Sequence, residues 1–126
     1  MKEFLLPMYL VGMGTGSGST LAAIELATKE GGPLHGLVRM VLAIATNAEA
    51  GLIKRLTDLG MEEGENLLVM PYKKEKSEQW GRDILRRCRA FGANQFGLFG
   101  CVPTVPESCI EALITDGVRC TNQHPA

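Results

Sequence analysis

The stretch Gly12-Met13-Gly14-Thr15-Gly16-Ser17-Gly18-Ser19-Thr20 decides the fold of this chain. An apolar, strand-like run over residues 4–12 leads into it, and a segment of helical period over residues 19–30 follows it. A strand that passes through a glycine-rich turn into a helix is typical of the first unit of a parallel sheet covered by helices. The stretch therefore predicts an α/β fold.

The remainder of the chain repeats this alternation of strand and helix. Further strands are predicted over residues 38–46, 66–71, 95–101 and 118–121. Helices are predicted from the N-cap Asn47 to Gly60, over residues 77–91, and between Pro106 and Gly117. We expect a single domain over residues 1–126, with a mainly parallel sheet in the order 3-2-1-4-5 and helices on both faces.

Composition and charge exclude several classes of protein. The chain of 126 residues is 45% hydrophobic and 21% charged, as expected of a globular domain. Its 13 basic and 14 acidic side chains give a formal net charge of -1, which provides no broad field for nucleic acid or an anionic membrane. We expect a small-molecule partner, with neither nucleic acid nor membrane as a ligand. The arginines around Arg87 are interpreted as a solvated helix face.

The four cysteines predict a reducing compartment, which we take to be the cytoplasm. Cys88, Cys101, Cys109 and Cys120 form no C-x-x-C pair, and two of them fall on predicted helices with apolar neighbours. A zinc site made of Cys101, Cys120 and His124 would lack a fourth ligand and the usual spacing. We therefore expect packed free thiols and no metal.

The glycine loop is suited to binding an anion. Amide groups at the start of a helix point outward, with the positive end of the helix dipole behind them. A Walker loop is excluded because no lysine lies between Lys2 and Lys29. A dinucleotide fingerprint is disfavoured, since the second strand ends in Asn47 rather than an acidic residue. A purely structural turn remains an alternative interpretation.

The end of the sequence, Asn122-Gln123-His124-Pro125-Ala126, places an amide and an imidazole on alternate positions. Alternate side chains of an extended segment share a face, so Asn122 and His124 can converge on one reacting group. On spacing alone, the preferred interpretation is two ordinary exposed polar residues.

Four motifs, taken in order, resemble the formyltransferase family. They are the G-S-G-S-T-L-A-A-I run after the first strand, T-N-A-E-A after the second, residues 100–105 after the fourth, and N-Q-H-P at residues 122–125. The resemblance spans essentially the whole chain and is closest to the folate-dependent enzymes that formylate glycinamide ribonucleotide. It implies a Rossmann-like three-layer sandwich that transfers a formyl group from 10-formyltetrahydrofolate to the amine of a phosphorylated substrate in purine biosynthesis.

The resemblance also implies roles for individual residues. The substrate phosphate would be bound by Gly16, Ser17, Gly18, Ser19 and Thr20. The folate pocket would be lined by Gly100, Cys101, Val102, Pro103 and Val105. Asn122 and His124 would be the catalytic residues at the formyl group.

Two positions differ from the family pattern and leave the formyl acceptor open. Thr20 stands where an asparagine is usual, and Pro103 stands where an arginine is usual. The family's catalytic aspartate lies beyond the N-x-H segment, so we expect the chain to be an amino-terminal portion truncated after N-x-H-P. We also expect self-association through the edge of the fifth strand. Alternative functions are a non-catalytic phosphate- or nucleotide-binding module and, less favoured, the nucleotide half of a dehydrogenase.

Overall fold

The computed structural model describes residues 7–123, with Gln123 described by its backbone alone. It contains a single layer of strands flanked by helices. The strands are β1 (Met8–Gly14), β2 (Val38–Ala45), β3 (Leu67–Val69), β4 (Gln95–Phe99) and β5 (Arg119–Gln123). Every neighbouring pair among these strands is parallel, and their order in the sheet is β3-β2-β1-β4-β5. The predicted parallel sheet and its strand order are confirmed.

Helices cover both faces of this sheet. They are α1 (Ser19–Ala27), α2 (Gly51–Asp58), α3 (Ser77–Ala90) and α4 (Glu107–Thr115), with a short 3-10 helix at Lys74–Lys76. On one face, Leu21 of α1 and Leu52 and Leu56 of α2 pack in one core cluster. On the other face, Trp80 and Ile84 of α3 pack with residues of α4 in a second cluster. The three-layer arrangement predicted for the chain is therefore present.

The first strand and first helix have different bounds from those predicted. β1 extends to Gly14 rather than Gly12, because its last residues continue to pair with β2. Predicted strand residues 4–6 lie outside the described part of the chain. α1 ends at Ala27 rather than Glu30, because the Thr28 hydroxyl donates to the Glu25 carbonyl at 2.7 Å and the Leu34 amide donates to the Ala27 carbonyl at 2.9 Å. These bonds turn the chain away from the helix axis.

The prediction that Asn47 is the N-cap of the second helix is wrong. α2 begins at Gly51, and its N-cap is Ala50. Asn47 Oδ1 instead accepts a hydrogen bond from the Glu49 amide at 2.9 Å, which forms a turn before the helix. The local preference of asparagine for turns therefore moves the helix start by several residues.

The other predicted elements are present with shifted ends. Strands three and four are shorter than predicted, α3 ends one residue earlier, and β5 begins at Arg119 and extends to Gln123. The arginines of α3 are exposed, and Arg89 pairs with Asp116 at 2.7 Å, as expected for a solvated helix face. Among residues 7–123, no helix has both the length and the apolar character needed to cross a bilayer.

Gly18 fixes the path from β1 into α1. It is the N-cap of α1 and has a φ of 72°, a conformation that favours glycine. A Cβ atom placed on Gly18 would lie 2.2 Å from Cβ of Leu52, at the start of α2. The close approach of the glycine loop to α2 therefore requires a residue without a side chain.

We predict that Gly18→Ala destabilises the protein by more than about 2 kcal/mol, since a left-handed backbone and a steric clash act together. Gly16→Ala is the matched control, because a Cβ on Gly16 meets no atom within 4 Å. Urea unfolding monitored by circular dichroism measures both variants. Equal stabilities of the two variants would contradict this account of the loop.

Candidate functional site

The candidate site lies at the edge of the sheet where the parallel strands end. The segments that follow β1, β2 and β4 meet there, and β5 ends at the same edge. Ligands of open parallel sheets bind outside the carboxyl ends of the strands, near the point where the strand order reverses. In this sheet the reversal lies between β1 and β4.

Thr15 connects three of these strand ends. Its amide donates to the Gly100 carbonyl at 3.3 Å, and its Oγ1 accepts a hydrogen bond from the Val102 amide at 2.9 Å. Thr15 Oγ1 also lies 2.8 Å from Oγ1 of Thr46, which follows β2. The Asn47 side-chain amide donates to the Thr15 carbonyl at 3.4 Å. The first turn, the end of β2 and the segment after β4 are thus joined by hydrogen bonds.

The predicted anion-binding residues form the turn between β1 and α1. Gly16, Ser17, Ser19 and Thr20 are exposed, and Gly18 is partly buried. Within the described part of the chain, no side chain caps the start of α1. The Leu52 amide donates to the Gly16 carbonyl at 3.1 Å, which holds the turn against the start of α2. Four of the five predicted anion-binding residues are thus accessible to solvent where α1 begins.

A cavity of about 440 Å³ lies between the segment after β4 and the strand β5. Its apolar wall is formed by Phe96, Leu98, Val102, Pro103, Val105 and Ile110. Four of the five residues predicted to line a cofactor pocket, Cys101, Val102, Pro103 and Val105, border it. Gly100 is absent from the wall, and its carbonyl instead accepts the Thr15 amide.

Asn122 borders the same cavity. It pairs with Leu98 across the β4–β5 ladder and is exposed, so its amide is accessible from the cavity side. His124 lies outside the described residues. The structure therefore brings Asn122 together with the segment 101–105 at one cavity, and residues 16–20 do not line that cavity.

The thiols near the site are held in their neutral form. Burial raises the pKa of Cys101 above its ordinary value of 9.0, with a hydrogen bond to Thr15 acting weakly in the opposite direction. Burial raises the pKa of Cys88 to about 12 and that of Cys109 to about 11. All four cysteines are free. These shifts favour packing roles over nucleophilic ones, as predicted.

The sequence reasoning missed Thr15, Thr46 and Asn47 as parts of the site. The sequence does contain a pattern that could have indicated them, because these hydroxyl and amide residues directly follow two apolar runs that form adjacent strands. Thr46 is only 4% exposed, so its hydroxyl needs a partner within the protein. That partner could not be identified from the sequence, because it depends on how closely the ends of β1 and β2 approach each other.

No protein-family model and no curated protein matches this sequence. Several solved structures do. The chain is 24% identical to glycinamide ribonucleotide transformylase 1 from Symbiobacterium toebii over 99% of its own length and 55% of that chain, with a TM-score of 0.73. It is 20% identical to phosphoribosylglycinamide formyltransferase from Brucella melitensis, covering 94% of its own length and 57% of that chain, with a TM-score of 0.75.

A formyltetrahydrofolate deformylase from Pseudomonas putida KT2440 has a similar fold at 9% identity. The match covers 86% of this chain and 36% of the deformylase, with a TM-score of 0.67. The chain thus spans about half the length of the two transformylases, and less of the deformylase. The resemblance to formyltransferases is confirmed at the level of the fold, which is the Rossmann-like fold of these structures.

We predict that alkylation of Cys101 by iodoacetamide has a pH midpoint above 9.0, because burial disfavours the thiolate. Cys88 serves as the internal control and should react far more slowly at every pH below 10, since it is 1% exposed. Peptide mass spectrometry after timed labelling measures both rates. A Cys101 midpoint below 9.0 would show that the thiol is activated.

Proposed function

We propose that this chain is the amino-terminal portion of a folate-dependent formyltransferase. Its reaction would be the transfer of the formyl group of 10-formyltetrahydrofolate to the amine of a phosphorylated substrate, with glycinamide ribonucleotide as the leading acceptor. The observation that carries the proposal is the placement of Asn122 on the wall of the cavity formed by the segment 101–105. The shared fold of the transformylases supports it.

The proposed roles follow from the chemistry of the transfer. Attack by the amine on the formyl carbon places negative charge on the formyl oxygen. The Asn122 amide would donate a hydrogen bond to that oxygen, and a protonated His124 would donate a second one. As the bond between the formyl carbon and the folate nitrogen breaks, His124 would donate its proton to that nitrogen, and the neutral imidazole so formed would accept the proton that the amine loses.

Substrate and cofactor would occupy adjacent parts of the edge. The phosphate would bind the amides and hydroxyls of residues 16–20, where α1 begins without a side-chain cap. The folate would occupy the cavity of about 440 Å³, whose wall is largely apolar, as a flat heteroaromatic ring requires. The amine and the formyl group would then meet between the first turn and Asn122. This mechanism needs no metal ion.

Turnover tests the proposal directly. The protein is incubated with 10-formyltetrahydrofolate and glycinamide ribonucleotide, and the deformylated folate is followed by its absorbance. A second reaction without the amine detects formate, which would indicate hydrolysis of the kind named for the Pseudomonas putida deformylase. Binding of both ligands without any turnover would favour the non-catalytic phosphate-binding module. Binding of neither ligand would contradict both functions.

We predict that Asn122→Ala lowers kcat on the order of a hundredfold, because one donor to the developing oxyanion is lost. His124→Ala should cause a loss of similar size. Gln79→Ala and His35→Ala are the matched controls, since each removes the same chemical group at an exposed position away from the cavity. An unchanged kcat in both site variants, or an equal loss of kcat in the two controls, would contradict the proposed catalytic roles.

Self-association through β5 stays a prediction. β5 is the outermost strand on its side of the sheet over residues 7–123, and the edge strand of a sheet is a common place for pairing with another chain. We expect sedimentation velocity to show a concentration-dependent dimer. A monodisperse monomer at high protein concentration would contradict this expectation.

A further inference from the structure

The hydroxyl group of Thr15 is shared between two loops that the proposed function assigns to different ligands. Residues 16–20, which follow Thr15 in the first turn and the start of α1, would hold the phosphate, and the segment 101–105 forms a wall of the cavity. Thr15 Oγ1 accepts the Val102 amide at 2.9 Å, and the Thr15 amide donates to the Gly100 carbonyl at 3.3 Å. These two bonds join the turn to the cavity wall.

The second partner of this hydroxyl fixes its position. A threonine hydroxyl has one proton and two acceptor lone pairs. One lone pair of Thr15 Oγ1 receives the Val102 amide, a second position is used by the bond of 2.8 Å to Thr46 Oγ1, and Cys101 is a further hydrogen-bond partner of Thr15. Thr46 is 4% exposed and follows β2, whose neighbour β1 is at the centre of the sheet. The hydroxyl is therefore held by a buried group at the end of β2.

Val102 depends on this bond more than an interior residue would. Its side chain is 80% exposed, so packing contributes little to holding the backbone at this point. The segment 101–105 is otherwise held by the burial of Val105 and by the bond of 3.6 Å from the Cys101 thiol to the Pro103 carbonyl within the same segment. The bonds to Thr15 are thus the main polar link between this wall and the sheet.

We infer that Thr15 is a positioning residue that holds the cavity wall at residues 101–105 in a fixed position relative to the anion-binding first turn. The inference rests on the proposed function for the identity of the two ligands. Its geometric part, the anchoring of Val102 by the Thr15 hydroxyl, is independent of any ligand. Thr15 itself need not touch either ligand in this role.

The test compares Thr15→Val with Thr15→Ser. Valine keeps the branched shape of threonine and removes the hydroxyl, whereas serine keeps the hydroxyl. Thr115→Val is the matched control, because it removes a hydroxyl that bonds only the Glu111 carbonyl on the exposed surface of α4. Hydrogen exchange of the Val102 amide is measured by NMR without ligand, together with the free energy of unfolding.

We expect the Val102 amide to exchange roughly fivefold faster in Thr15→Val, and at the wild-type rate in Thr15→Ser and Thr115→Val. An unchanged rate in Thr15→Val would overturn the inference. Calorimetric titration with 10-formyltetrahydrofolate and with inorganic phosphate then tests the positioning role. The folate affinity should fall roughly fivefold in Thr15→Val and return in Thr15→Ser.

The two readouts separate the inference from the function on which it rests. Faster exchange in Thr15→Val with an unchanged folate affinity would show a merely structural bond and would overturn the positioning role. If the wild-type protein binds no folate, the proposed function fails, and the exchange rate of Val102 alone decides whether Thr15 anchors the wall. If folate affinity falls equally in Thr15→Val and in Thr115→Val, the positioning role would also be overturned, since the loss would then reflect lower stability of the protein.

Discussion

The close approach of the first turn to its neighbours is the constraint on which the rest of this structure depends. Gly18 has a left-handed backbone and lies against Leu52, with no room for a side chain. Ser17, the preceding residue of the same turn, lies close to Gly51. A Cβ atom placed on Gly51 would be 3.2 Å from Cα of Ser17. The starts of α1 and α2 are therefore brought together at the carboxyl edge of the sheet. This proximity places the Thr15 hydroxyl within reach of both Thr46 and Val102.

The sequence predicted the architecture well because its signals were local and mutually consistent. Apolar runs such as residues 42–45 of β2 are fully buried, so both faces of the strand are covered there, and glycines mark the turns between elements. The prediction was wrong at Asn47, where an asparagine suited to an N-cap forms a turn instead. Helix capping and turn formation use the same side-chain oxygen, and only the position of the neighbouring strand end decides between them.

The candidate site was predictable in part. The turn after β1 and Asn122 were singled out by residue type, the segment after β4 was singled out by the resemblance to formyltransferases, and the fold places all three at one edge. The network of Thr15, Thr46 and Asn47 was not, since its bonds join residues about 30 and 87 positions apart in the sequence. Such contacts depend on the register of the parallel strands, which no local pattern specifies. Similar folds host different reactions, so the chemistry assigned to this edge rests on its side chains and not on the fold alone.

The central claim is that one edge of the sheet holds a phosphate and a folate side by side. A crystal structure of the protein with ribose 5-phosphate and a formyl-folate analogue tests this most directly. The account predicts the phosphate at the amides of residues 16–20, the folate ring in the cavity bordered by Val105, and the formyl group within hydrogen-bond distance of Asn122. Folate density at any other surface, or a phosphate far from the start of α1, would contradict it.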